Sequence, residues 1–304
     1  MSIFDLFKKK AAEPAADTTE PVTDAADPIA EAVQALAKNQ ITLTPDADAV
    51  ARPGGSKIGG QPFLPADFLW PAFADNEGVS RPLSFFCQIA LAEVKPYDRD
   101  DLLPQRGLLA FFYECESFCW GFDPTDEGAA RVFYFPDTAG FVPHPVPEAL
   151  DADYVMPELA LTFTAAPSYP GFEELELHSD LSCDWDDYAA ALAQLGVDAD
   201  EQMQGHKLLG YADIIQGEML TECERAVRGF GSGSPADYQA TPAADTEAIR
   251  AHATDWILLL QLDTIKKGDF EWMFGDCGML YYYIRKQDLA AGNFGSGWFS
   301  MQCY

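Results

Sequence analysis

Positive charge is scarce in this sequence. Nineteen Lys and Arg stand against 49 Asp and Glu, a formal charge of −30 at pH 7, and from Val132 to His206 there is no Lys or Arg at all. A field of that sign repels phosphate backbones and anionic lipid, which excludes nucleic acid and membrane surfaces as partners of the folded body and favours a basic protein or a cation. Long apolar runs are also missing. The longest aliphatic stretch, Ile257 to Leu260, falls far short of the roughly 18 residues a membrane-spanning helix needs.

Cysteine is sparse and unpaired in pattern. The seven cysteines are an odd number with no CxxC pair, which argues against a disulfide framework and for reduced thiols in a cytoplasm. Cys115 and Cys119 lack further Cys or His at zinc spacing. In "MSIFDLFKKK" the lysines follow the apolar residues, the wrong order for a secretory signal, so a cytoplasmic protein is expected. Catalytic signatures are absent as well: there is no Walker loop, no GxSxG elbow and no HExxH. The four histidines, His144, His178, His206 and His252, never pair at i, i+4. No cofactor and no metal site is expected. The least unlikely nucleophile is Cys277, beside Asp276, with His206 as its base, although a cysteine in such a context is ordinarily an inert small hydrophobe.

What is present divides the chain in two. Residues 11 to 27, "AAEPAADTTEPVTDAAD", lack large hydrophobes other than Val22 and predict a disordered acidic linker. It joins a short N-terminal element, in which Ile3, Phe4, Leu6 and Phe7 precede Lys8 to Lys10, to a body over 28–304. That element reads as a weak membrane or partner peg. Asp27 followed by Pro28 predicts a capped helix start. "ITLT", "LSFFCQIAL", "GLLAFFYE", "RVFYF", "ALTFTA", "WILLLQL" and "GMLYYYI" are short, aromatic or β-branched and bounded by turn residues, which predicts strands. Tyr188, Leu192 and Leu195 before Gly196 predict a helix over 184–195, with the acids of "DWDD" as cap and first turn and not as a metal cluster. "GFGSGSPADYQATPAAD", from Gly229, reads as a long flexible surface loop, and Ser234 and Pro235 rule out a dinucleotide motif.

Three short blocks recur in the same order. "SKIGGQPFLP" is echoed by "HKLLGYADII", "LSFFCQIAL" by "ILLLQLDTI", and "RGLLAFFYE" by "CGMLYYYIR". The recurrence sets Lys57, Gln88 and Gly107 against Lys207, Gln261 and Gly278. It predicts an α+β fold, mostly antiparallel β, with two sequence-related halves over about 41–170 and 200–304 and a few covering helices. Gln88 and Gln261 each lie inside an apolar strand, where an amide needs partners for its donors and its carbonyl. Either each amide pins a loop, or both face a common ligand between the halves.

These blocks, together with "LWP", "LLP", "WMFGDCGMLYYYI", "KQDL" and the terminal "NFGSGWFSMQCY", resemble the bacterial YwqG-like family, a domain of unknown function, from about Gly55 onward. The resemblance implies a duplicated, mostly β, cytoplasmic domain and no established reaction. Asp276, in "FGDCG", fits ordinary turn chemistry or a carboxylate presented at a loop. Two functional expectations follow. The first is an interaction protein whose acidic surface engages a basic protein. The second is a small-ligand binder or enzyme with a site between the halves built from Lys57, Gln88, Lys207, Gln261 and Asp276. Placement separates them, because amides consumed by backbone cannot also read a ligand.

Overall fold

The structure is a computed structural model that describes residues 27–117, 119–199 and 205–304. The apolar N-terminal element and nearly all of the expected linker lie outside the described residues. Ten strands form one antiparallel sheet: β1 (Lys38–Asp46), β2 (Lys57–Ile58), β3 (Ser84–Ala90), β4 (Leu108–Tyr113), β5 (Ala130–Phe135), β6 (Leu159–Ser168), β7 (His206–Leu209), β8 (Trp256–Leu262), β9 (Met279–Arg285) and β10 (Trp298–Gln302). Their order across the sheet is β10-β9-β8-β7-β1-β6-β2-β3-β4-β5. The long strands β1 and β6 pair over their whole length at the centre. On one side stand β2 to β5 and on the other β7 to β10, each wing laid down in chain order outward from the centre.

Burial follows from that layout. β1 alternates, with Asn39, Ile41 and Leu43 inward, as a strand with one wet face does. β3 and β8 are buried at almost every position because both of their faces are covered. The two wings curl onto one core. Phe111 of β4 meets Tyr282 of β9 edge-on at 5.2 Å, Tyr113 meets Phe299 of β10 at 5.7 Å, and Tyr282 Oη donates to the Phe112 carbonyl at 3.1 Å. Such edge-to-face contacts add directional preference to simple burial.

Eight α-helices cover the sheet among the described residues: α1 (Pro28–Ala35), α2 (Leu91–Val94), α3 (Phe172–His178), α4 (Trp185–Gln194), α5 (Leu220–Val227), α6 (Pro235–Ala240), α7 (Ala243–Ala253) and α8 (Lys286–Ala291). The Asp27 carboxylate caps α1 by accepting from the Ile29 amide at 2.9 Å, and Asp184 caps α4 through the Asp187 amide at 2.9 Å. α1, α3 and α4 share a small core built on Val33, Leu175, Tyr188 and Leu192. α5 covers the outer face of β8 and β9 with Met219, Leu220 and Cys223.

The segment from Gly229 corrects one expectation. It is not a long loop, because α6 and α7 occupy most of it. The amide and hydroxyl of Ser234 both donate to Asp237 at 2.8 Å, so "SPAD" is a capped helix start with Pro at the first position. The buried Arg225 holds the approach, donating to the Gly231 carbonyl at 2.6 Å and to Thr241 Oγ1 at 3.0 Å. The glycine-serine run ends on the cap itself, Ser234.

Candidate functional site

Lys57 lies opposite Gln88 in the sheet, and Lys207 lies opposite Gln261. The hydrogen bonds around the two pairs match. Each glutamine carbonyl accepts the amide six places after the lysine, Phe63 at 2.8 Å and Asp213 at 2.9 Å. Each glutamine NH2 donates to the carbonyl two places before the lysine, Gly55 at 2.6 Å and Gly205 at 3.0 Å. The backbone matches too. Gly59 and Gly60 have φ of 58° and 68°, and Leu209 and Gly210 have 59° and 74°. In β3 the ladder shifts register between Phe85 and Cys87, and in β8 between Leu258 and Leu260, two residues before the glutamine in both.

Each amide therefore pins the loops on either side of a short strand, and both glutamines are 0% exposed. Gly59 shows why the turn is specific, since a Cβ there would meet the Met156 and Pro157 carbonyls at 2.4 Å. Leu209 adopts the same left-handed conformation with a full side chain, which is backbone strain held by its burial at 1% exposure. Gln302 adds a third pin, accepting from the Ile215 and Gln216 amides at 3.0 Å and donating to the Gly217 carbonyl at 2.8 Å.

The lysines diverge. Lys207 Nζ meets Asp213 at 2.6 Å with both side chains 6% exposed, and Asp213 also accepts from Gln261 at 2.6 Å. Burial pushes the Asp213 carboxyl above its ordinary range, against the pull of the Lys207 ammonium and the Gln261 amide. Lys57 Nζ meets the half-open Glu158 at 2.6 Å and the Gln61 carbonyl at 2.7 Å. It borders a cleft of about 340 Å³ with Phe63 and Pro143 on its walls. The central strands β1 and β6 stand between the pairs. Three strand spacings and four residues of register put Lys57 and Lys207 roughly 20 Å apart along the sheet.

Asp276 is exposed in a turn where Gly278 N donates to the Phe274 carbonyl at 3.0 Å, flanked by Gly275 at φ 64° and Cys277 at φ 50°. His206 is not free to serve Cys277 through Nδ1, which accepts the Asp263 amide at 3.1 Å. Cys277 is exposed, whereas Cys87, Cys115 and Cys223 are buried and burial pushes their thiols well up. In a native thiol titration Cys277 is expected to give the fastest phase, and Cys277→Ser to remove it. A fast phase that survives the substitution would assign it to Cys183 or Cys303 instead.

Among the described residues no three His, Cys, Asp or Glu side chains are grouped to hold a metal ion. No helix among them is long and apolar enough to cross a membrane. Asp213 and Glu158, the acids that complete the lysine pairs, carry no local signal that names them: Glu158 lies 101 residues from Lys57, and Asp213 sits in an irregular loop.

These features define an α+β protein dominated by a single curled antiparallel sheet, each wing of which is locked by a lysine–glutamine pin. Residues 56–303, which span both pins, match the family described as Domain of unknown function (DUF1963), and the chain belongs to that family. No curated protein matches the chain.

Proposed function

We propose that the protein is a binding module whose acidic, helix-covered end engages a basic protein partner. The observation that carries this reading is Trp185. It opens α4 with 45% of its surface exposed, and its ring is held by Phe172 at 5.6 Å and Tyr188 at 5.7 Å. On α3, on α4 and on the turn between them Glu173, Glu176, Asp180, Asp184, Asp186 and Asp187 are all exposed. Apart from the Asp184 cap, none of these carboxylates is engaged by a side-chain hydrogen bond or ion pair among the described residues. A rigid aromatic ringed by free acids is the pattern of a contact hot spot with a steering rim. Consumption of both glutamine amides by backbone, and of Gln261 also by Asp213, supports interaction over ligand recognition at those positions.

The matching pins support reading the two wings as copies of one unit, in the YwqG-like manner. A second reading, a small-ligand site at one end of the sheet, is favoured by the Lys57 cleft alone. The test is capture of partners from cytoplasm by the full chain. A basic protein is expected to be retained at low salt and released at high salt. Trp185→Ala is expected to weaken its binding by about 2 kcal/mol, roughly thirtyfold. Asp186→Lys with Asp187→Lys is expected to abolish capture while the chain stays folded, its melting temperature lowered only by the lost helix-dipole complement. Salt-independent retention, or retention untouched by both variants, would sink the proposal.

A further inference from the structure

Seven lysines fall among the described residues, and six of them have an acceptor. Lys57 meets Glu158, Lys95 meets Asp98, Lys207 meets Asp213 and Lys266 meets Glu271. Lys267 donates to the Glu158 carbonyl and Lys286 to that of Thr254. Lys38, the first residue of β1, is the exception. Its Nζ stands 3.6 Å from the centre of the Tyr211 ring and donates to no oxygen among the described residues. Tyr211 is itself fixed, its hydroxyl donating to the Leu36 carbonyl and its amide to Ser168 Oγ, both at 2.9 Å.

Two more groups converge on the same ring from α3. His178 packs against Tyr211 at 5.4 Å and 72°. His178 Nε2 lies 3.8 Å from Glu174 Oε2, too far for a hydrogen bond. The His178 side chain is 10% exposed and that of Glu174 2%, and His178 Nε2 has no hydrogen-bond partner among the described residues. A buried carboxylate beside a largely buried imidazole and a half-buried amine, with no hydrogen bond between them, is costly to the fold. Such groups, gathered around a fixed aromatic face, are the composition of a reactive site.

We propose that Lys38 is a reactive amine that condenses with a small uncharged aldehyde or ketone, with His178 and Glu174 carrying the protons. The Nζ lone pair forms the C–N bond while the carbonyl π pair moves to oxygen. That oxygen takes a proton from protonated His178. Glu174 removes a proton from nitrogen and passes it to the now neutral His178. A second protonation of the oxygen by His178 releases water and leaves a protonated imine. Return of the imine N–H proton to His178 gives the imine and restores both groups. The net change is amine plus carbonyl giving imine plus water, with no oxidant or reductant. Burial lowers the Lys38 ammonium to about 8, opposed by Glu174 and Asp100 and assisted by Lys286, so the nucleophilic free base is well populated near neutrality. An uncharged carbonyl compound fits, because Glu174, Asp100 and the overall charge disfavour an anion.

The test is reductive labelling of the full chain with propanal and cyanoborohydride, read by peptide mass spectrometry. At pH 7.5 Lys38 is expected to be modified at least about tenfold faster than the exposed Lys266, because an amine titrating near 8 carries far more free base than an ordinary lysine. The wild-type rate at Lys38 should rise with a midpoint near pH 8, a readout that needs no variant. His178→Asn should slow Lys38 several-fold while leaving Lys266 unchanged. Labelling of Lys38 no faster than Lys266, or a rate indifferent to both His178→Asn and Glu174→Gln, overturns the proposal.

Discussion

Asp213→Ala is expected to destabilise the protein by about 3–5 kcal/mol, a large part of the stability of a typical domain. The reason is what the substitution leaves behind. Lys207 would keep its ammonium at 6% exposure with its 2.6 Å partner gone. The Gln261 NH2 would lose its 2.6 Å acceptor. An uncompensated buried charge costs more than the intact pair contributes. Gln261→Leu should cost about 2–4 kcal/mol by a different route, since it strands the Asp213 amide and the Gly205 carbonyl, which the glutamine holds at 2.9 and 3.0 Å. The two residues share one network, so the double variant should cost less than the sum of the singles. Asp276→Ala, at an exposed turn, should stay within about 0.5 kcal/mol. Urea midpoints with unchanged slopes measure all four. A loss below about 1 kcal/mol for Asp213→Ala would mean that the pin does not hold the wing.

The contrast between Gln261 and Asp213 shows what can be read along the chain. An amide inside "WILLLQL" is conspicuous because everything around it is apolar, and its recurrence as Gln88 marks both positions without deciding between a loop pin and a ligand contact. The strands are legible for the same reason: aromatic and β-branched runs bounded by turn residues have few alternatives. The partners are not legible. Asp213 is one acid among 49, and only the fold of its loop selects it. Glu174 and Lys38 stand far apart in sequence, with nothing local to join them. α6 is masked in the sequence because its capping signal follows directly on a glycine-serine run. Asp186 and Asp187 are plain as helix-dipole acids, but their service as a rim depends on Trp185 facing outward, which periodicity alone does not decide.

His206→Gln and Glu222→Gln are expected to tilt the pH dependence of stability in opposite directions. Burial lowers His206 from 6.5 to about 4, against a small upward pull from Asp263. Its folded pKa is depressed, so the native state refuses a proton that the unfolded chain accepts. The stability it contributes is complete above pH 6.5 and is lost on acidification toward pH 4, up to about 3 kcal/mol. Glu222 behaves in reverse. Burial, reinforced by Glu218 and opposed by Arg225, raises its carboxyl from 4.5 to about 7, and its Oε2 is buried without a hydrogen-bond partner among the described residues. The native state takes up that proton more readily than the unfolded chain, so stability rises as pH falls from 7 to 4.5, again by up to about 3 kcal/mol. The windows overlap and the two groups oppose each other in the wild-type chain. Removing the histidine leaves the Glu222 gain uncovered, so the variant should become more stable relative to wild type as pH drops from 6.5 to 4. Removing the carboxylate leaves the His206 loss uncovered, so that variant should weaken on acidification more steeply than wild type. Urea titrations at half-unit pH steps measure the slope differences, from which the remaining carboxylates cancel. Parallel curves for His206→Gln and wild type would show that His206 takes its proton without unfolding, and would return its imidazole to the groups available for chemistry beside the Lys207 pin.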